Sequence, residues 1–453
     1  MKKLISTLFA LSFVFAAVAQ EENNGHWCGT DQMHQEHVKE NPEAIKAATE
    51  KLDKLAYQML QEANGTASYK NYIDDGRPFV IPVVVHVFYM PGSTPMRAEQ
   101  VDGLIEGLNN RYSPSDADQA AAKNKVHEDY IDAIGYSNIK FVLASKDPQG
   151  NETIGITFNE WEHADGSAAN RNEVKYQNIW DPSRYLNFWV VDRIGSFSDN
   201  PNQQILGFAQ FPTDYAAGAW ATDGVVIRKD QVNRSSTTGP HEVGHYLGLY
   251  HPFQGDIYNP DSVKQGCVTG DCHFAGDRIC DIDQAFTASW QTCPANMKHP
   301  DSCPLDDRPD PVNNYMMYTN DACHCMFSKE QVVRMRSTLL SYRYKLSSWA
   351  NVQSVGIGDL TGNQIVYDVN VYPNPFEDNI TLQVESDRDQ EICISIKDLL
   401  GRTVQKDCKK KLGIGRNSIT LSANDMNISE RGVYLLELQL VDKIIVTKIQ
   451  YGQ

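Results

Sequence analysis

After its first twenty residues the chain has no apolar run long enough to cross a bilayer, so the mature protein is expected to be soluble and to carry no membrane-spanning segment. It is also short of positive charge. Lys and Arg number 41 against 58 Asp and Glu, a formal net charge of −17. An acidic surface repels phosphates, which argues against nucleic acid or an anionic membrane as the main partner. Cysteine is absent between Cys28 and Cys267, so Cys28 stands alone. Seven of the ten cysteines crowd into residues 267 to 325 and two more, Cys393 and Cys408, lie near the C-terminus. Seven is odd, so the middle group cannot pair completely within itself. Either Cys28 completes it or two thiols are left over.

The chain opens MKKLISTLFALSFVFAAVAQ, with Lys2 and Lys3 ahead of an apolar run that closes on Ala17, Val18 and Ala19. This pattern predicts a secretory signal peptide over residues 1–19, and ten cysteines fit the oxidising destination it implies. Residues 20–76 are polar apart from one amphipathic stretch, PEAIKAATEKLDKLAYQMLQEA, stopped at Asn64 and Gly65. One helix cannot enclose a core, so this segment must lean on another part of the chain and reads as a pro-segment. A β-branched run, RPFVIPVVVHVFY, then predicts a strand buried on both faces. Further strands are expected at NIKFVLASK, TIGITF, YLNFWVVDRI and DGVVIRK, with a helix near MRAEQVDGLIEGLNNRY and a closing helix at KEQVVRMRSTLLSYRYKL. That alternation predicts an α/β sheet domain over residues 77–349. Residues 350–366 read as a Gly- and Asn-rich linker, and short alternating runs over 367–453 predict a small all-β sandwich.

The chemistry is carried by HEVGHYLGLYH, His241 to His251. His241 and His245 are four apart and share one helix face, with Glu242 beside them to poise a water. On an unbroken helix His251 would lie about 15 Å further along the axis than His241, too far to share an ion. The helix therefore has to stop, and Gly248 is the residue that can turn there through a left-handed conformation. Three imidazoles with a fourth position open describe a catalytic zinc site rather than a closed structural one. Zinc would acidify a water in that position and Glu242 would take its proton.

The full motif resembles the metzincin metallopeptidases, whose second hallmark is a methionine in a tight turn under the metal. NNYMMYTNDACHCMF supplies one, with Met316 as the matching methionine. Within that group the chain is similar to the pappalysin family, peptidase family M43, over residues 77 to 340: VIPVVVHVFY, YLNFWVV, ILGFAQFP, GDRICD, DSCP, NYMMY and FSKEQVVRMR stand in order. The resemblance implies a metzincin-like catalytic domain, a mixed twisted sheet with helices and an irregular lower subdomain, that hydrolyses protein or peptide substrates. It implies His241, His245 and His251 as zinc ligands, Glu242 as general base and Tyr318 near the developing oxyanion. Met317 stands where many relatives carry Asp or Ser. His324 stands near the pocket for the residue after the cut bond, where an acid would have favoured basic side chains.

The family's cysteines further imply a Cys293–Cys323 pair and a second joining Cys267 or Cys272 to Cys303, leaving Cys280 and Cys325 as extras. Relatives also bind calcium in this loop region, where Asp277 and Asp281 could donate oxygens; a solvated acidic loop explains the same residues. VYPNPFEDNITL, ISIKDLLGRTVQ and GVYLLELQL resemble the C-terminal sorting domain of the type IX secretion system. That implies export through the periplasm of a Gram-negative bacterium to the cell surface or medium, with this domain usually removed; an adhesive sandwich that stays attached is the alternative.

Cys28 lies in HWCGT. Its CGT resembles the cysteine-switch segments of related proenzymes, in which a thiolate takes the metal position needed by water. A disulfide with the odd thiol of residues 267–325, or an idle thiol, are the other readings. The whole pattern thus predicts a secreted zinc endopeptidase made as a zymogen. A surface adhesin that retains the fold, or a peptidase that acts mainly on its own chain, are the rival functions.

Overall fold

A computed structural model describes residues 28–65, 78–167, 171–195, 205–256, 266–286, 300–303, 308–357, 369–386, 390–398, 402–413, 415–440 and 444–452. The expected signal peptide, Cys293 and most of the expected linker lie outside the described residues. Among the described residues no helix is long and apolar enough to cross a membrane.

The β-branched run forms β1 (Phe79–Tyr89), with Val80 to Phe88 all buried. It has neighbours on both edges. The 79–83 half pairs in parallel with β3 (Ile139–Leu143) and the 85–89 half with β4 (Ile156–Glu160). β5 (Leu186–Val191) lies on its other side, followed by β7 (Val225–Arg228), both parallel. β6 (Gly207–Ala209) closes the sheet and is the one antiparallel strand, with Gly207 opposite Ile227 and Ala209 opposite Val225. A two-residue pair, β2 (Ile134–Gly135) with β8 (Phe327–Ser328), lies apart. Helices cover the sheet as expected for parallel strands. α3 (Ala98–Tyr112) lies against β3 and puts Val101, Leu104 and Leu108 in the same buried core as Val83 and Val85 of β1, each worth about 1.5–3 kcal/mol when removed from water.

The N-terminal segment holds two helices where the sequence shows one. α2 (Pro42–Gly65) is the expected amphipathic stretch. It rests on α6 (Lys329–Leu340), where Asp53 accepts from Arg334 at 2.8 Å and Arg278 at 3.2 Å. α1 (Thr30–Glu40) has no apolar stripe, yet Met33, His34 and Val38 are buried. It owes its helicity to docking, and so pattern reading passes over it. The domain also extends beyond residue 349. α7 (Trp349–Ser354) occupies part of the expected linker, and Val352, Val355 and Ile357 pack with Val80 and Val84 under the sheet. Their apolar side chains tie residues 350–357 to the α/β domain.

Two antiparallel sheets make up the C-terminal region, in the orders β13-β10-β9 and β12-β11-β14-β15. Here β9 is Val369–Tyr372, β10 Asn379–Ser386, β11 Gln390–Lys397, β12 Thr403–Leu412, β13 Gly415–Ser422, β14 Gly432–Gln439 and β15 Ile444–Tyr451. Alternate residues of both sheets, among them Ile380, Leu382, Ile394, Ile396, Leu436 and Leu438, form one shared core. Cys393 and Cys408 are joined in a disulfide.

Candidate metal centre

The motif helix α5 (Thr238–Tyr246) holds His241, Glu242 and His245 in buried positions. It ends at Tyr246. Gly248 takes φ +92° while its N–H donates to the His245 carbonyl at 2.8 Å, and Leu249 N–H reaches back to Gly244 at 2.9 Å. The reversal returns His251 to the other two. All three Nε2 atoms converge, 3.1 to 3.2 Å apart. Donors about 2.1 Å from one tetrahedral ion would be spaced about 3.4 Å apart.

Protonation also fits a cation. His241 Nδ1 donates to the Tyr315 carbonyl at 2.8 Å and His245 Nδ1 to the Leu249 carbonyl at 2.7 Å. His251 Nδ1 lies 3.2 Å from Asp31 Oδ2. With the Nδ1 of His241 and His245 engaged as donors, those two rings aim Nε2 lone pairs at the point where His251 Nε2 also arrives, an arrangement that is repulsive unless a metal lies between them.

The fourth residue of the group is Cys28, whose Sγ clusters with the three imidazoles within 4.8 Å. It is a free, buried thiol, so the disulfide reading for Cys28 is overturned. Sγ donates to Glu242 Oε2 at 3.3 Å and accepts from Thr30 N–H at 3.3 Å. Burial, then Glu242 and Asp31, push this thiol well above its ordinary pKa; a bound cation is the one local charge of opposite sign that would favour the thiolate. The backbone holds Cys28 there by extending the sheet. Cys28 bridges Gly207 in parallel and Gly29 N–H donates to the Gly207 carbonyl at 3.0 Å, so the open edge of β6 is taken by the chain's own N-terminal segment. Thr30 Oγ1 accepts from Ala209 N–H and donates to Glu242 Oε2, both at 2.9 Å.

Met316 lies fully buried beneath the motif helix. A Cβ on Gly244 would collide with its Sδ and one on Gly207 would stand 2.8 Å from Glu242 Cγ. Gly244→Ala is therefore expected to destabilise the protein by about 1–3 kcal/mol through overpacking, seen in calorimetry as a Tm lowered by roughly 2–4 °C per kcal/mol. An unchanged Tm would show that Met316 can move aside. Tyr318 stands beside the triad, its ring centroid 4.9 Å from that of His251. Its hydroxyl donates to the Cys28 carbonyl at 3.4 Å, and burial first, then Cys28, pushes its pKa well up, so it remains a donor. His324, buried, has its Nδ1 2.8 Å from Thr237 Oγ1.

The loop cysteines differ in part from expectation. Cys267 pairs with Cys303, but Cys272 pairs with Cys280 rather than leaving it an extra. Cys323 is disulfide-bonded and Cys325 is free. The odd thiols of the parity argument are thus Cys28 and Cys325, separated by the packing of the domain. Asp277 is buried and Asp281 half-buried near it, and neither joins a metal-binding group of three acid, His or Cys side chains among the described residues. Burial raises both, Asp277 well above the ordinary carboxylate range and Asp281 to about 7, where Glu330 adds to the effect. Sequence reasoning missed Thr30, Asp31, Gly207 and Gly244, although Thr30 was in view as the last residue of CGT.

Comparison with known proteins matches residues 169–340 to the peptidase M43 model described as pregnancy-associated plasma protein-A, and residues 370–451 to a secretion system C-terminal sorting domain. An extracellular metalloprotease of Verticillium alfalfae is 35% identical over 188 residues, 39% of this chain, which covers 58% of that protein. One from Podospora anserina is 27% identical over 354 residues, 75% of this chain and 99% of that protein. Tannerella forsythia mature mirolysin, solved with a cleaved peptide, is 31% identical over 61% of this chain and 98% of its own, with a TM-score of 0.48. A promirolysin mutant from the same organism is 28% identical over 71% and 96%, with a TM-score of 0.49.

Proposed function

The chain belongs to the pappalysin family of metzincin metallopeptidases, and on that premise we propose that it is a secreted zinc endopeptidase made as a zymogen and held latent by Cys28. The observation that carries the reading is the convergence of His241, His245 and His251 Nε2 beside the buried carboxylate of Glu242. Zinc held by these imidazoles would supply Lewis acidity at a peptide carbonyl and acidify a water.

The chain's own groups do the rest. Glu242 Oε2, which now accepts from Cys28 and Thr30, faces the cleft once those residues leave. It takes the proton of the attacking water and returns it to the leaving amine. Tyr318, which donates to a peptide carbonyl already, that of Cys28, offers the same hydrogen bond to the oxygen on which negative charge develops. Met316 packs under Gly244 and shapes the floor without ligating.

Residues 1–19 serve as signal peptide, 20–76 as pro-segment and 77–349 as catalytic domain, to which the packing of α7 adds residues to 357. The match of residues 370–451 to a sorting domain supports export by the type IX machinery of a Gram-negative bacterium through its periplasm, with the domain over 367–453 then removed. The relatives' description as extracellular metalloproteases supports a secreted or cell-surface location, and the cleaved peptide in mirolysin supports protein or peptide substrates. Asp277 and Asp281 are proposed as calcium donors. Each has a buried oxygen, Asp277 Oδ2 and Asp281 Oδ1, without a hydrogen-bond partner among the described residues, and a cation would offset the burial of two like charges.

One chelation experiment tests both metals. Stripping the processed enzyme should abolish gelatin hydrolysis, zinc alone should restore it, and calcium alone should raise Tm without restoring it. Hydrolysis that survives stripping, or that is absent under every activation condition, overturns the peptidase reading in favour of a binding protein on the same fold. A Tm indifferent to calcium removes the calcium site alone.

A further inference from the structure

The N-terminal segment does more than deliver Cys28 to the metal centre. Beyond Thr30 it continues past the end of β6 as α1 and places two histidines on one carboxylate. Asp214, on the short helix α4 (Pro212–Ala216), accepts from His34 Nδ1 at 2.7 Å through Oδ1 and lies 3.1 Å from His37 Nδ1 through Oδ2. Both carboxylate oxygens are therefore held by side chains of α1, and the Asp214 side chain is 2% exposed.

The buried basic side chains nearby make their hydrogen bonds elsewhere, although the charge of Lys175 also acts on Asp214. Lys175 Nζ donates to the Thr222 carbonyl at 2.7 Å and Arg343 grips Asp223 through both of its terminal nitrogens. Burial alone would raise Asp214, but His34 and His37 outweigh it and hold the carboxyl below its ordinary range, so it is an anion in this state. His34 is the complementary case: burial lowers it, the Asp214 charge and hydrogen bond outweigh that, and it is raised. Once α1 leaves, both direct partners go with it. The uncovered carboxylate then keeps Lys175 as a charge acting through space and no side-chain partner from α1, and a substrate cation can take the vacated places.

The position is part of the cleft. The Phe211 ring stands between the two sites, its centroid 5.0 Å from that of His34 and 5.3 Å from that of His245. The carboxylate thus belongs to the wall one aromatic ring away from the metal ligands.

We propose that Asp214 is a specificity-determining residue of the mature enzyme, a socket for one basic side chain of the substrate that His34 and His37 fill in the latent chain. The inference rests on the zymogen reading above. Two imidazoles on separate oxygens occupy the places that a single planar guanidinium fork would take, so Arg is the best occupant and Lys, a point charge, the second.

The test is mass spectrometry of cleavage products from a peptide library cut by the processed enzyme. Arg, then Lys, should be enriched at one fixed position away from the cut bond. For a peptide pair differing only by Arg or Gln there, kcat/KM should favour Arg tenfold or more. In the Asp214→Asn enzyme that ratio should fall to near one, while Asp214→Glu should keep a preference above one. A wild-type profile without basic enrichment overturns the assignment even if the variants fail to fold, and so does a ratio unchanged in Asp214→Asn. Absence of all cleavage instead overturns the peptidase reading and this inference with it.

Discussion

Replacing Glu242 with Gln is expected to lower hydrolysis of denatured protein by about 10²–10⁴-fold while zinc content stays at one ion per chain. The substitution is nearly isosteric, and a Gln amide oxygen can still accept from Thr30 Oγ1, which now donates to Glu242 at 2.9 Å. The latent fold and the three imidazoles should therefore be undisturbed. The lost element is a group able to hold and return a proton between the attacking water and the leaving amine. Activity assays with metal analysis on the same sample decide the matter: full zinc with full activity would remove Glu242 from its proposed role. The same variant addresses self-processing. A full-length precursor accumulating in Glu242→Gln cells would mean that the chain matures itself, whereas normal maturation would assign the cut to another peptidase.

Substituting Cys28 with Ala should raise the activity of the unprocessed chain tenfold or more, equivalent to at least about 1.4 kcal/mol of latency, with self-digestion during purification. The thiol is buried and free, grouped with the three histidines and in contact with the carboxylate of Glu242. Its removal opens the one place in the group supplied by the N-terminal segment. Cys28→Ser should fall between wild type and Ala, since a hydroxyl is a weaker zinc ligand than a thiolate. An Ala variant that stays as latent as wild type would mean that the backbone pairing with Gly207 and the contacts of α1 and α2 are sufficient without the thiol.

Much of the fold was legible because its elements carry local patterns. β1 is a continuous β-branched run since both its faces are buried, and α2 shows its apolar stripe since only one of its faces is. α1 shows no such stripe. It is helical because His34 and His37 meet Asp214 and because Met33 and Val38 find apolar surface, none of which is written at helical spacing. The extent of the α/β domain is hidden in the sequence for a related reason: ANVQSVGIG has linker composition, and only its packing with Val80 and Val84 makes residues 350–357 part of the domain.

The metal centre divides along the same line. Two histidines four apart, a neighbouring glutamate and a glycine before the third histidine determine a helix, its stop and a convergent triad within eleven residues, because helix geometry and the left-handed turn are properties of the local backbone. Everything that closes or tunes that triad comes from elsewhere in the chain. Cys28 reaches Glu242 across 214 residues, Tyr318 reaches Cys28 across 290, and His34 reaches Asp214 across 180. Contacts at such separations are selected by how whole elements pack and not by any repeat along the chain. For that reason composition could count an odd cysteine, but only the tertiary structure could leave Cys28 free at the metal centre and Cys325 free elsewhere.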